Sequence, residues 1–269
     1  MLRRLWYKFE EHPQKQKILK MTGVVVVLLA FLSWLHFKTP RTLGALAYDA
    51  NKQHGYTVYI EEETGYHPYL VLTKNYGKTQ SVLLLRKYVL EEPQPFNIAH
   101  YRDSYYGRSY IDQYLNEDYL DTLSQDVRNQ IRTSPVEIMA LTAWGRNGRD
   151  VPEKEEIRRR VFLLSYIETA LGPGKGYIQE GKALKYFKDY QARAVTTKAD
   201  GTPSNWMLRT GTLGLAESNN VIGFELSVGI MPSRAPVGVR PAFCLNQKTK
   251  VVKSSEVIEG ETVYVLMLE

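Results

Sequence analysis

Hydrophobic positions along the chain change their period three times. The first pattern is continuous: Lys17 to Lys38 reads KILKMTGVVVVLLAFLSWLHFK, and Met21 to Phe37 contains no Asp, Glu, Lys or Arg. As a helix that run is roughly 25 Å long, and with Ile18 and Leu19 it approaches the ~30 Å of a hydrocarbon core. Trp34 is placed for the headgroup level, where amphipathic rings are favoured. The run ends in Ser33-Trp34-Leu35-His36-Phe37, too bulky for a small-x-small cleavage site. The pattern predicts one uncleaved transmembrane helix over 21–37.

The second pattern has a period of two. After a stalk over 38–55, broken by Pro40 and loosened by Gly44, Tyr56–Glu61 alternates apolar and polar residues. Glu62–His67 reads as a turn around Gly65. Tyr69–Thr73 and Ser81–Val89 follow as strands, separated by Asn75-Tyr76-Gly77-Lys78. Together these predict an antiparallel meander.

The third pattern is helical. Ser109-x-x-Asp112 is a capping box ahead of Tyr110, Ile111, Tyr114 and Leu115, and Asn116 ends that turn. Leu120, Leu123, Val127 and Ile131 continue the spacing to Ser134-Pro135. Gly145–Glu155 reads as an exposed loop and Arg160–Leu164 as a buried strand. Ser165-x-x-Glu168 is a second capping box, on a short helix stopping at Gly172-Pro173-Gly174. Ala183, Leu184 and Phe187 mark another short helix. Strand-like runs return at Trp206–Arg209, Val221–Leu226, Gly238–Leu245 and Thr262–Leu268. With no βαβ alternation and no repeat, the class is α+β: an N-terminal single transmembrane helix, then one mainly antiparallel β domain with inserted short helices over 56–269.

Charge sharpens this picture. The net charge is +6. Residues 1–20 hold Arg3, Arg4, Lys8, Lys15, Lys17 and Lys20 against Glu10 and Glu11, which places +4 on the tail. The positive-inside rule then puts the tail in the cytoplasm and residues 38–269 outside the cell membrane, with the lipid bilayer as a partner. A nucleic-acid binder needs a basic face on its folded domain, so nucleic acid is excluded as a partner. The chain has 19 Tyr against 8 Phe, which suits half-exposed strands and wet, polar recognition surfaces. Its single cysteine, Cys244, allows no internal disulfide and no thiolate zinc site, and its apolar neighbours mark a buried thiol.

No motif supplies a catalytic centre. His54, His67 and His100 stand apart, without the spacing of a metal site, so no metal and no cofactor are expected. Gly172–Gly176 lacks the phosphate-loop spacing, and no G-x-S-x-G elbow occurs. Glu61-Glu62-Glu63 reads as a solvated turn. Asp189 and Asp200 suit a carboxylate dyad by residue type alone. One constellation stands out: Asn205–Thr210 and Gly238–Phe243 each place an arginine in a strand-like run. Arg209 and Arg240 there are either structural, paired with carbonyls or acids such as Glu225, or part of a Trp and Arg platform for a polar ligand.

These segments resemble a bacterial family of unknown function, often found in exported or membrane-anchored proteins. Its motifs are S-x-I-x-x-[WY]-L-N (Ser109–Asn116), V-F-L-L-S-x-x-E (Val161 to Glu168), W-x-L-R-[ST] (Trp206–Thr210) and G-V-R-P-A (Gly238–Ala242). Asn116, Glu168 and Arg240 are the structural residues this resemblance implies. The closing G-V-R strand is distantly similar to sulfatase-modifying (formylglycine-generating) and C-type-lectin-like folds, although the former need paired active-site cysteines. The expected function is non-catalytic binding of a cell-wall glycan or an envelope protein, with Tyr105, Tyr106, Arg108, Trp206 and Arg209 as contacts. An envelope enzyme acting on wall polymers, or an accessory scaffold subunit of a membrane complex, are the alternatives.

Overall fold

A computed structural model of the chain describes residues 22, 24–28, 42–51, 55–98, 104–143, 153–170, 179–189, 196–212, 218–222, 228–258 and 261–268. The chain divides into two units, Met1–Pro40 and Arg41–Glu269. In the first, residues 22 and 24–28 are helical. Among the described residues no helix is long and apolar enough to cross a membrane. The transmembrane helix expected over 21–37 is corrected on that ground. The rest of that span, like the tail 1–20, lies outside the described residues.

The second unit is a β domain with a few short helices. It opens with α1 (Leu43–Leu46), whose Leu43 and Leu46 are fully buried. The Leu43 N–H donates to the Thr249 carbonyl at 2.8 Å, so residues 42–46, read from sequence as stalk, are packed into the fold. Among the described residues fourteen strands follow: β1 (Thr57–Glu62), β2 (Gly65–Lys74), β3 (Ser81–Arg86), β4 (Ser134–Met139), β5 (Lys154–Arg159), β6 (Val161–Phe162), β7 (Thr196–Thr197), β8 (Pro203–Ser204), β9 (Trp206–Gly211), β10 (Ser218–Ile222), β11 (Val228–Pro232), β12 (Ala242–Asn246), β13 (Lys250–Ile258) and β14 (Glu261–Met267). The main sheet runs β13-β14-β1-β2-β3-β12-β6. All its pairings are antiparallel except β1 with β14. β3 lies near the sheet centre and all six of its residues are buried. That is why SVLLLR shows no alternation, while YTVYIE, in which Tyr59 is half-buried and Glu61 exposed, does. Across the β3–β12 ladder Leu84 faces Phe243 and Leu83 faces Cys244. The smaller sheets are β11-β10-β9, the β4-β5 hairpin and the β7-β8 pair.

The long helical spacing of residues 110–131 is divided into α2 (Tyr110–Asn116), α3 (Asp118–Thr122) and α4 (Gln125–Gln130). Ser109 caps α2, its Oγ accepting the Asp112 N–H at 3.2 Å. Helix propagation fails at Leu123, which is extended, because strand bonding competes for its neighbours. Glu63 N–H donates to Thr122 O at 2.6 Å and Ser124 N–H to Glu61 O at 3.1 Å. Asn116 then ties α2 to the β5–β6 junction: its side-chain amide donates to Val161 O at 2.9 Å, and its Oδ1 accepts the Arg160 and Val161 N–H groups, both at 3.2 Å.

Two sequence readings change here. Ser134-Pro135 starts a strand as well as ending the helical spacing; among the described residues β4 pairs only with β5, so a proline is tolerated in it. Ser165–Glu168 forms its capping box in full. Ser165 N–H donates to Glu168 Oε2 at 3.0 Å and Glu168 N–H to Ser165 Oγ at 3.1 Å. Yet the chain makes only turns there and reaches Ala170 at φ +56°, a left-handed conformation that stops a helix. The short helix expected after it begins later, as α5 (Lys185–Asp189).

Candidate functional site

Among the described residues three ion pairs are built into the interior, and one of them underlies a pocket. Arg209 projects from β9 and is 1% exposed. Its Nη1 donates to Glu168 Oε2 and to the Leu163 carbonyl, both at 2.7 Å, and its Nε donates to the Glu137 carbonyl at 3.0 Å. Burial acts to lower the Arg209 pKa, but Glu168 and then Tyr76 outweigh it and the net shift is upward. Tyr76 donates its hydroxyl to Glu168 Oε1 at 2.7 Å and stacks on Phe162, with ring centroids 5.3 Å apart. Glu180 is fully buried on the same cluster. It accepts the Met139 N–H at 2.6 Å and the Thr210 hydroxyl.

Above this cluster lies a pocket of about 380 Å³, whose wall includes Tyr76, Lys78, Glu137, Glu156, Glu168 and Lys182. Backbone geometry assembles it. Tyr76 sits in a tight turn with Asn75, Gly77 and Lys78 all near φ +60°. A Cβ on Gly77 would fall 2.5 Å from Pro135 Cγ, so glycine lets this turn close against β4. Glu137 of β4 and Glu156 of β5 are direct cross-strand partners. Like charges in that arrangement cost stability. Lys154 offsets part of the cost through an ion pair with Glu137 at 2.9 Å, and that bond is the main cause of the lowered Glu137 pKa.

Glu180 makes the cluster pH-dependent. Burial pushes its carboxyl pKa up, against the pull of Arg209. A carboxyl raised on folding binds its proton more tightly in the native state. Its stabilising contribution is therefore complete below the ordinary carboxyl range and lost as pH rises through the folded value. Glu180→Gln keeps an acceptor for Met139 N–H without the ionisation. Urea unfolding from pH 4.5 to 8 is expected to show the wild type losing stability relative to Glu180→Gln as pH increases; a constant difference would contradict it.

The other two pairs brace the frame. Glu62 accepts from Arg86 Nε at 2.9 Å and from the Tyr69 hydroxyl at 2.6 Å, with Tyr119 and His67 alongside. Glu62 is 7% exposed, which corrects its part in the reading of Glu61–Glu63 as a solvated turn, while Glu61 and Glu63 are exposed. Asp112 pairs with Arg159 at 2.7 Å, linking α2 to β5.

The residues expected as contacts do not share one surface. Trp206 and Tyr106 are buried like Arg209; Tyr105 is half-buried and Arg108 exposed, its guanidinium 5.8 Å over the Tyr105 ring. Burial, then a hydrogen bond with Glu155, push Tyr105 up to about 12. Arg240 is 2% exposed, lies 4.6 Å over the Trp206 ring and donates from Nε to the Arg86 carbonyl at 3.0 Å. Burial lowers its pKa to about 10. Cys244 is buried and its thiol is pushed up to about 12 by burial. Asp189 accepts from Tyr48 and Lys185, and Asp200 accepts the Thr202 N–H in an exposed turn. Gly172–Gly176, Glu225, His54 and His100 lie outside the described residues.

Sequence reasoning missed Tyr76, Glu137 and Glu156. The available signals were an aromatic inside the Asn75–Lys78 turn and the V-E-I and E-E-I alternations, which set Glu137 and Glu156 on one face of a hairpin. Residues 79–247 match the family described as Domain of unknown function (DUF6273). The chain belongs to that family. The DUF6273 match spans Glu137, Glu156, Glu168, Lys182, Arg209 and Arg240, and begins three residues after Tyr76. No curated protein and no solved structure matches the chain, and the similarity to sulfatase-modifying and lectin-like folds is not shown.

Proposed function

We propose that this domain is a non-catalytic recognition module whose pocket takes a polar, hydroxyl-rich ligand of the cell-wall glycan class. The observation that carries this reading is the composition of the pocket wall. Three carboxylates and two lysines supply acceptors and donors around the Tyr76 ring, while Pro135 and Leu184 supply apolar contact. A hydroxyl-rich ring needs that mixture of convergent polar groups and an amphipathic aromatic. Among the described residues the wall holds no Ser, Cys or His for a nucleophile–base pair. Glu168, its most buried carboxylate, is fixed by Arg209, Ser165 and Tyr76.

The test is calorimetric titration of the full chain with soluble wall-glycan fragments, alongside Lys182→Ala, an exposed position. Saturable binding weakened in Lys182→Ala, with thermal stability unchanged, is the expected result. Binding by neither protein, or equal binding by both, would contradict the assignment to this pocket.

A further inference from the structure

We infer that the ligand of this pocket carries a primary ammonium group, seated against Glu168, Glu137 and Glu156; the inference rests on the glycan reading above and specifies an amino sugar. The first observation concerns Glu168, which is 1% exposed yet lines the pocket. A carboxylate has about four acceptor positions. Oε2 of Glu168 receives Ser165 N–H and Arg209 Nη1, whereas Oε1 receives only the Tyr76 hydroxyl among the described residues. Oε1 therefore keeps an acceptor position that a ligand donor can fill.

Gly181 explains how the ligand reaches it. Gly181 lines the pocket at φ +80°, and a Cβ there would stand 2.7 Å from Glu168 Oε1. The missing side chain leaves that oxygen open to the pocket.

Glu137 repeats the pattern. Its Oε2 accepts both Lys154 Nζ and Gly181 N–H, each at 2.9 Å. Its Oε1 receives no hydrogen bond among the described residues. Glu156, directly opposite, has no side-chain hydrogen bond among them either. An ammonium offers three donors and one positive charge. It matches three carboxylates with unfilled acceptors, and it relieves the Glu137–Glu156 repulsion that Lys154 alone offsets in part. Lys78 and Lys182, also on the wall, face the hydroxyl oxygens of the same sugar.

The probes are the β-1,4-linked glucosamine disaccharide and its N,N′-diacetylated form, which share a backbone and differ in ammonium against acetamide. Calorimetry on the full chain is expected to give at least roughly tenfold tighter binding for the free amine, since hydrogen bonds to charged groups exceed neutral ones by about that factor. Glu156→Gln, at an exposed position, is expected to remove most of the preference with no loss of thermal stability, since it also relieves the repulsion with Glu137. Equal affinity for the two disaccharides would overturn the ammonium assignment and leave the glycan reading standing. Binding of neither would overturn both. A free-amine preference that survives Glu156→Gln and Glu137→Gln alike would also overturn it, by placing the ammonium elsewhere.

Discussion

Arg209→Leu is expected to destabilise the domain by about 3–5 kcal/mol, the usual cost of removing one partner from a buried pair. The substitution deletes the Nη1 bonds to Glu168 and Leu163 and the Nε bond to Glu137. More important, it strands Glu168 and Glu180, which are 1% and 0% exposed, around a site that has lost its cation. The double variant Arg209→Leu/Glu168→Leu removes both members of the pair, and such replacements by apolar residues recover much of the loss. Urea denaturation checks both variants. A double variant less stable than Arg209→Leu would show that the single-variant loss comes from packing and backbone contacts instead of the unpaired charge. Domains losing this much stability fall near the whole margin of a typical fold, so the single variant is measured at low temperature.

Trp206→Ala is expected to cost a similar amount, about 3–5 kcal/mol, as for other buried aromatics truncated to alanine. Trp206 is fully buried at the start of β9, where Met207 N–H bonds to the Gly238 carbonyl at 2.9 Å. Its ring also carries the Arg240 guanidinium at 4.6 Å. Arg240 depends on that ring and on one backbone carbonyl, and burial has already lowered its pKa to about 10. Losing the ring therefore opens a cavity and removes the cation–π contact together. Trp206→Phe retains an aromatic face and is expected to lose less. The check is equilibrium unfolding followed by far-UV circular dichroism, which does not depend on the lost indole. Unchanged stability in Trp206→Ala would mean that the ring contributes as a surface contact and not as core.

The meander was legible because YTVYIE, YLVLT and SVLLL combine strand propensity with turn residues between them. The Ser109 cap was legible because that interaction is local in sequence; the bonds of Asn116 to Arg160 and Val161 were not, since they cross more than forty residues. The long-range features were not. Nothing in the Leu120–Ile131 spacing shows that Glu61 and Glu63 will bond to the backbone at Thr122–Ser124 and break the helix. The parallel contact of β1 with β14 joins residues two hundred positions apart and leaves no periodic trace. Arg209 and Arg240 were visible as unusual arginines in strands. Their opposite environments, one beside a carboxylate and one over an indole, depend on which loops return to them. The pocket was hidden for that reason too. Tyr76, Glu137, Glu156 and Glu168 come from four separate segments, and only Glu168 stood out along the chain.

Amide chemical-shift mapping during titration of the full chain with the glucosamine disaccharide tests the pocket assignment most directly. The account predicts perturbations concentrated at Tyr76–Lys78, Glu137, Glu156 and Gly181–Lys182. Shifts centred on Tyr105–Arg108, with the pocket residues unmoved, would contradict it.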